Sequence, residues 1–318
     1  MTYGRIAVTA AALALAGALP ATAQERVTYK SAKTGSSYYQ MGVELAEAIG
    51  AATDGGISVT VEESQGSVQN VMEVRARGGD YVFTAPPALV TAAREGTGEF
   101  EDRPSERFAG IRALFPIPSL TMHFVMDAET GASSLDDLAG TTILLGQGSF
   151  GATEGARYME MFGLADEVTI SGAELSNAVD ALRNGQIDGF VTAGSFPAPN
   201  VIEAAAAMPV TILSMTGEEV EETGRTPITI PAGTYAGQEA DVATTALPVV
   251  AYATDAMDEE TAYTLTRTFW DEKARLAGQS RWWDGVTPEL LDAVESDFHP
   301  GARRYYEEAG IALPGADG

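Results

Sequence analysis

The chain has 318 residues, with 45 acidic side chains against 19 basic ones and no cysteine, so its formal net charge is −26. The lack of cysteine excludes disulfide bonds and thiolate metal sites. A surface this acidic repels nucleic acid and anionic membranes, and neither is predicted as a partner. An anionic ligand would have to be held by strong local donors.

Residues 1–23 have the pattern of a secretory signal peptide. Arg5 is followed by an apolar run over 6–19 and by small residues at 21–23. The alternative, a membrane anchor, is disfavoured because the apolar run is shorter than the roughly 20 residues that span a bilayer. The sequence therefore predicts cleavage before Gln24 and export to the periplasm.

From residue 27 onward, strand-like and helix-like runs alternate in the pattern of a parallel sheet with crossover helices. The first five predicted elements are strand 27–32, helix 36–53, strand 57–64, helix 67–77 and strand 81–85, and the strand ends at Pro86-Pro87, where proline can open a helix. A polar connection at 96–104 follows. The extended runs 108–118 and 120–126 then predict a crossover into a second lobe.

The second half repeats this alternation. Its predicted strands are 141–146, 168–171, 187–192 and 210–215, and the predicted helices of the remaining chain are 151–162, 174–184, 199–208, 258–276, 288–298 and 301–310. The glycine- and proline-containing segment 226–238 predicts a wrapping loop, and strand 249–253 predicts the return crossover. We expect two α/β lobes, with 24–116 and 246–318 in lobe 1 and 117–245 in lobe 2.

Three short loops of small polar residues each follow a predicted strand and open a predicted helix. They are Thr34–Tyr39, Gly66–Asn70 and Gly148–Ala152. A helix N-terminus presents unpaired N–H groups and about half a positive charge. Glycine lets a ligand approach the backbone, and hydroxyls add donors. Three such loops facing one cleft predict a site that holds a small anion without a catalytic residue.

Two residues at the first loop have alternative interpretations. Tyr38 either packs in the core or forms an aromatic wall whose hydroxyl reaches the ligand. Lys33, one of only three lysines, either lies in solvent and offsets nearby acids or completes the coordination of a ligand carboxylate. The second interpretation places Lys33 in the predicted site.

One motif favours a different class of protein, an exported dinucleotide-dependent enzyme. Gly146–Gly151 fits G-x-G-x-x-G between a predicted strand and helix. The motif lies mid-chain rather than in the first strand–helix–strand unit, so we favour anion binding by the same N–H groups. His123 and His299 are too few and too far apart for a zinc site. The sequence therefore predicts no catalytic residue, cofactor or metal.

Five segments form a more specific pattern. They read TGSSYY at 34–39, GSVQN at 66–70, NGQIDGF at 184–190, IPAGTYAGQ at 230–238 and HPGARRYY at 299–306. In this order they resemble the TAXI family, the extracytoplasmic solute receptors of one class of TRAP transporters. The chain departs from the family pattern at Ser36 and Ser37, where glycine and threonine are usual, and at Phe150 in the third loop.

The resemblance implies a periplasmic-binding-protein fold of type II, with two α/β lobes, a hinge and a ligand cleft between them. It implies a monomeric receptor, not an enzyme, that captures glutamate, 2-oxoglutarate or a related dicarboxylate. Delivery would be to a TRAP permease of the fused type, driven by an ion gradient; a receptor of an ABC importer is the alternative. The predicted ligand-binding residues are Lys33, Gly35, Ser36, Ser37, Tyr38, Gly66, Ser67, Asn70, Thr84, Ser149, Phe150, Gly151, Ala152, Gly194 and Ser195.

Overall fold

The computed structural model describes residues 24–34, 36–146 and 149–314. Within the last range, the backbone of Phe150 is described but its side chain is not. Outside the described residues lie 1–23, Gly35, Gln147, Gly148 and 315–318. The signal peptide and the cleavage before Gln24 therefore stay predictions. No helix within the described ranges is both long and apolar enough to cross a membrane.

The described residues contain one mixed sheet. Its strands are β1 Glu25–Lys30, β2 Ile57–Glu62, β3 Tyr81–Ala85, β4 Ile111–Asp127, β5 Thr142–Leu144, β6 Thr169–Ser171, β7 Gly189–Gly194, β8 Val210–Ile212, β9 Thr226–Ile230 and β10 Val242–Thr254. Their order is β2-β1-β3-β10-β4-β7-β5-β6, with β8 paired to β4 and β9 to β10. Strands β1, β2 and β3 pair in parallel, as do β5, β6 and β7, whereas β4 and β10 run antiparallel to their neighbours.

Helices cover the sheet on both faces. They are α1 Ser37–Ala52, α2 Ser67–Glu73, α3 Pro87–Glu95, α4 Phe150–Met161, α5 Ala178–Arg183, α6 Pro199–Ala207, α7 Gly217–Thr223, α8 Glu259–Gln279 and α9 Pro300–Ala309. Local chemistry fixes where several of them begin. The hydroxyls of Ser36 and Ser149 accept from N–H groups in the first turns of α1 and α4, and Asp258 caps α8 in the same way.

Two long strands connect the halves of the molecule. β4 pairs with β10 over 111–121 and with β7 over 121–126. Accordingly, the apolar core is divided: a large cluster around Phe115 and Phe269 fills the first lobe, and two smaller clusters around Phe124 and Phe190 cover opposite faces of the second. The α/β fold class predicted from the sequence is confirmed.

The predicted lobe boundaries fall inside these strands. The boundary at 116/117 lies within β4 and the one at 245/246 lies within β10. Both strands run through both lobes, so the residue limits of the lobes remain a prediction.

Two predicted elements are wrong. The segment 226–238 was expected to be a loop, but its first five residues form β9, antiparallel to β10. Pro227 is compatible with β9 because an edge strand tolerates a residue without an N–H. The helix expected over 288–298 is only a 3-10 helix at Pro288–Ala293. Beyond it the chain is extended, because Asp297 and His299 bond to the backbone of Ala113.

One helix has no counterpart in the sequence-based prediction. α7 is only seven residues long and mostly polar, so its apolar periodicity is weak. The sequence nonetheless contains a signal for the N-terminus of this helix. Thr216 and Glu219 form a capping box, in which each side chain accepts from the other residue's backbone N–H.

Candidate functional site

A cavity of about 330 Å³ lies between the two lobes. The carboxyl ends of parallel strands meet the starts of the following helices here, which is where open α/β sheets bind ligands. Ten of the predicted site residues line this one cavity: Lys33, Ser36, Ser37, Tyr38, Gly66, Ser67, Thr84, Ser149, Gly151 and Gly194. The structure thus brings all three loops predicted from the sequence together, and ligand binding by them stays a prediction.

Three other predicted residues do not line the cavity. Asn70 is fully buried behind it, and its amide donates to the carbonyls of Ser31 at 2.7 Å and Thr84 at 3.0 Å. Asn70 therefore ties the ends of β1 and β3 together. Ala152 packs against the core of the second lobe, and Ser195 is buried with an unpartnered hydroxyl. Gly35 and the side chain of Phe150 lie outside the described residues.

Three hydroxyl groups belong to residues that line the cavity and make no hydrogen bond to other described residues. Their residues are Ser37, Thr84 and Thr192, which are 4%, 3% and 4% exposed. A polar group that is enclosed without a partner costs about 1–3 kcal/mol, so a ligand that fills the cavity must satisfy these hydroxyls. The N–H groups of Ser37 and Tyr38 add donors, because α1 begins there and offers them no intrahelical acceptor. This part of the cavity is prepared to receive a polar group.

Tyr38 packs in the core and also borders the cavity. Its side chain lines the cavity, yet the residue is buried and its hydroxyl donates to the Pro118 carbonyl at 2.6 Å. Burial raises the pKa of Tyr38 well above its usual value, so the hydroxyl stays a donor. The hydroxyl holds α1 against β4 and is engaged there.

Lys33 lines the cavity, but its ammonium already has a partner. Its Nζ lies 2.5 Å from a carboxylate oxygen of Glu174, which stands in the second lobe just before α5. The side chains are 32% and 56% exposed. The ion pair therefore spans the two lobes at a solvated position, where such a pair contributes at most about 1 kcal/mol.

Close packing shapes the second-lobe face. A Cβ added to Gly151 would lie 2.9 Å from the backbone nitrogen of Ala193, so glycine is needed for α4 to approach β7. A Cβ on Gly194 would lie 3.3 Å from the Ser37 hydroxyl of the other lobe. Leu175, Val179 and further small apolar residues complete this face.

A buried hydrogen-bonded chain supports the second-lobe face from behind. The carbonyl of Thr121 lies 3.0 Å from Nδ1 of His123, and the hydroxyl of Tyr235 lies 2.8 Å from Nε2. A carbonyl only accepts, so Nδ1 carries the proton and Nε2 accepts from Tyr235. Tyr235 in turn accepts from the N–H of Ala198, which lines the cavity. Burial lowers the pKa of His123 to about 4, so the imidazole is neutral near pH 7.

Several cavity residues were not predicted from the sequence. Thr192 could have been found, because it lies two residues before Gly194 on the same strand and therefore on the same face. Leu120 and Val249 line the cavity from the two connecting strands. Asn200 and Glu203 lie on α6, and no motif marks them.

The fold and this position of the cavity define the class of periplasmic binding proteins. A solved structure from Bordetella bronchiseptica RB50 is 19% identical, covering 91% of this chain and 82% of its own, with a TM-score of 0.51. The periplasmic binding protein BugD is 13% identical, covering 91% and 99%, with a TM-score of 0.55. MatC from Rhodopseudomonas palustris, solved with bound malate, is 13% identical, covering 90% and 97%, with a TM-score of 0.55.

A family model matches residues 30–310. The chain belongs to the NMT1-like family, a family of periplasmic substrate-binding proteins. The family and the structural neighbours are transport proteins that bind substrates rather than enzymes.

Proposed function

We propose that this protein is an extracytoplasmic solute receptor that binds a small carboxylate in the cavity between its lobes and delivers it to a TRAP permease. The observation that carries the proposal is the set of cavity-lining residues Ser37, Thr84 and Thr192, whose hydroxyls make no hydrogen bond to other described residues. Hydroxyls and helix N–H groups are good donors to a carboxylate. MatC, which has a similar fold, was solved with malate, a small dicarboxylate.

Ligand binding couples to closure because the hydroxyls come from both lobes. Ser37 and Thr84 belong to the first lobe, whereas Thr192 lies on β7 of the second. A carboxylate that contacts both sets binds the closed form more tightly than the open form and shifts the population toward it. The closed receptor is the form that the permease would recognise.

The choice of a TRAP permease rests on the five segments that resemble the TAXI receptors. The fused permease subunit, reconstituted into vesicles with this receptor and a bound carboxylate, should take the solute up when an ion gradient is imposed. Uptake should be unaffected by ATP. Uptake that requires ATP and no gradient would identify an ABC importer instead.

Ligand binding itself is tested by a thermal-shift screen over small carboxylates. A ligand at about 100 times its dissociation constant should stabilise the folded protein by roughly 2.7 kcal/mol. Calorimetry with each ligand found in the screen should give one binding site per chain, and the Thr84→Val substitution should weaken the binding. Failure of every small carboxylate to raise the melting temperature would contradict the proposed function.

A further inference from the structure

The cavity contains little free positive charge. Among its described lining residues, only Lys33 and Glu203 carry a charge. Lys33 is already paired with Glu174. Lys30, at the end of β1, is buried and lies between Glu62 at 3.5 Å and Glu73 at 3.2 Å. Both lysines therefore already have carboxylate partners.

The larger apolar lining residues are concentrated on one side of the cavity. On the first lobe the lining consists mostly of Ser, Thr, Gln, Gly and Tyr, including Ser37 and Thr84. The second lobe adds polar residues, Ser149, Ser176, Thr192, Asn200 and Glu203, and together with the connecting strands it also supplies Leu120, Leu175, Val179 and Val249. A ligand that fills this cavity therefore meets donors from both lobes, and its carbon body meets an apolar patch on the side of the second lobe.

Neutral donors alone already hold one carboxylate elsewhere in this chain. The Glu44 side chain on α1 accepts from the Ser280 hydroxyl at 2.6 Å and from the indole N–H groups of Trp282 and Trp283 at 3.2 and 2.7 Å. No cation pairs with it among the described residues. Three or four neutral donors thus suffice for a single half-buried carboxylate in this protein.

Building on the proposed function, we propose that the ligand is a monocarboxylate with an apolar carbon body. Its carboxylate binds the hydroxyls of Ser37 and Thr84 and the first N–H groups of α1, and its carbon chain packs against Leu175 and Val179. On this proposal the dicarboxylates that the resemblance implies bind more weakly. A second carboxylate would enter the cavity with no unpaired cation among the described lining residues, in a protein of charge −26 that places Glu203 at the same cavity.

Calorimetry with acids matched in carbon number tests the proposal. The pairs are butanoate with succinate, pentanoate with glutarate, and hexanoate with adipate, and pentanamide serves as the uncharged control. We expect the monocarboxylate to bind at least about tenfold more tightly than its partner at the best chain length. Pentanamide should bind more weakly than pentanoate.

The outcomes separate this inference from the proposed function. Equal or tighter binding of the dicarboxylate would overturn the inference and leave carboxylate capture intact. No binding by any acid of either kind would overturn both. Pentanamide binding as tightly as pentanoate would contradict carboxylate recognition itself.

Two variants test the orientation of the ligand. Thr84→Val keeps the shape and removes a hydroxyl, and we expect it to weaken pentanoate binding about tenfold or more, because a charged oxygen loses a donor. Thr264→Val on α8, outside the cavity, is the matched control and should change nothing. Val179→Ala should weaken hexanoate more than butanoate. If Val179→Ala weakened the binding of butanoate and hexanoate equally, the proposed orientation of the ligand would be wrong.

Glu203→Gln tests the charge argument. Removing this acid should improve glutarate binding several-fold more than pentanoate binding, whereas Glu307→Gln, the same change on exposed α9, should favour neither acid. Equal effects on the two acids, or a loss of pentanoate binding in Glu203→Gln, would overturn the argument.

Discussion

The first lobe presents mainly hydroxyls and N–H groups to the cavity, whereas the second combines polar residues such as Thr192 with the apolar side chains of Leu175 and Val179. The residues that support these two faces from behind also differ. Behind the first face, Asn70 ties two strand ends together through backbone carbonyls. Behind the second, the chain from His123 to Ala198 and an ion cluster at Glu154 hold α6 and α4 in place. The two faces of the cavity are therefore held in place by different kinds of interaction.

Breaking the ion cluster, which lies in the second lobe, should have the largest effect on the stability of the protein. Glu154 is almost fully buried and accepts two hydrogen bonds from Arg225 and one from Arg157. Glu154→Gln leaves both arginines without a charged partner, which should destabilise the fold by about 3 kcal/mol. Urea unfolding measures this. Asp180→Asn, which breaks an exposed pair with Arg183, should change stability by less than about 1 kcal/mol. If Glu154→Gln lowered the stability by less than about 1 kcal/mol as well, the role assigned to Glu154 would be wrong.

Acid should weaken the support of the second face through His123. Its pKa is lowered by burial from 6.5 to about 4 in the folded protein. Between these values the unfolded chain binds a proton that the folded chain does not, so this contribution to stability is full above about pH 6.5 and lost as the pH falls to about 4. The total is about 3 kcal/mol.

The contribution of His123 is separable from that of the many carboxylates. His123→Gln keeps a hydrogen-bonding side chain and cannot titrate. The difference in unfolding free energy between the two proteins should therefore narrow as the pH falls from 6.5 to 4. A difference that is constant over this range would show that His123 does not titrate as described.

On the first lobe, Asn70→Ala should lower both stability and ligand affinity. The carbonyls of Ser31 and Thr84 each lose a buried donor, which we expect to destabilise the fold by about 1–3 kcal/mol. Thr84 also loses its support, so binding of the carboxylate should weaken. Denaturant unfolding and calorimetry separate the two effects. Unaltered affinity in a destabilised variant would show that Asn70 supports the fold but not the site.

The smallest effect is expected where the two faces meet. Lys33→Met keeps the length of the side chain and removes its charge. Because the ammonium is paired with Glu174 in solvent, affinity for the carboxylate should stay within about threefold, or about 0.7 kcal/mol. Glu174→Gln, which removes the partner of Lys33, should change the affinity by a similarly small factor. A loss of tenfold or more in Lys33→Met alone would place the ammonium on the ligand.

The sequence predicted the hydroxyl-bearing face better than the apolar one. Ser37 and Ser67 were identified because a loop that opens a helix has a local signature of small and hydroxylated residues. Leu120 and Val179 have no such signature, since an apolar residue facing a cleft resembles one in the core. The pairing of Lys33 with Glu174 joins residues 141 positions apart, and only the folded chain brings them together.

The five segments that carry the family resemblance also differ in what they do. The segments at 34–39 and 66–70 each contribute residues to the lining of the cavity. The other three hold the fold: Gly189 lies against Met126 and Val125, Tyr235 bonds His123, and Gly301 has no room for a Cβ beside the Glu259 carbonyl. The segments that carry the resemblance thus do not all contribute to the cavity, and sequence alone did not separate the two groups.

The continuity of β4 and β10 through both lobes has a consequence for folding. Each strand contributes hydrogen bonds to both halves of the sheet, so melting one half removes the neighbours of the other. The protein should give a single cooperative calorimetric transition rather than two. A chain cut within either strand would expose unpaired sheet edges, which are templates for aggregation. Movement between the lobes must therefore come from bending and twisting of these two strands, and the halves of this receptor cannot be separated and remain folded.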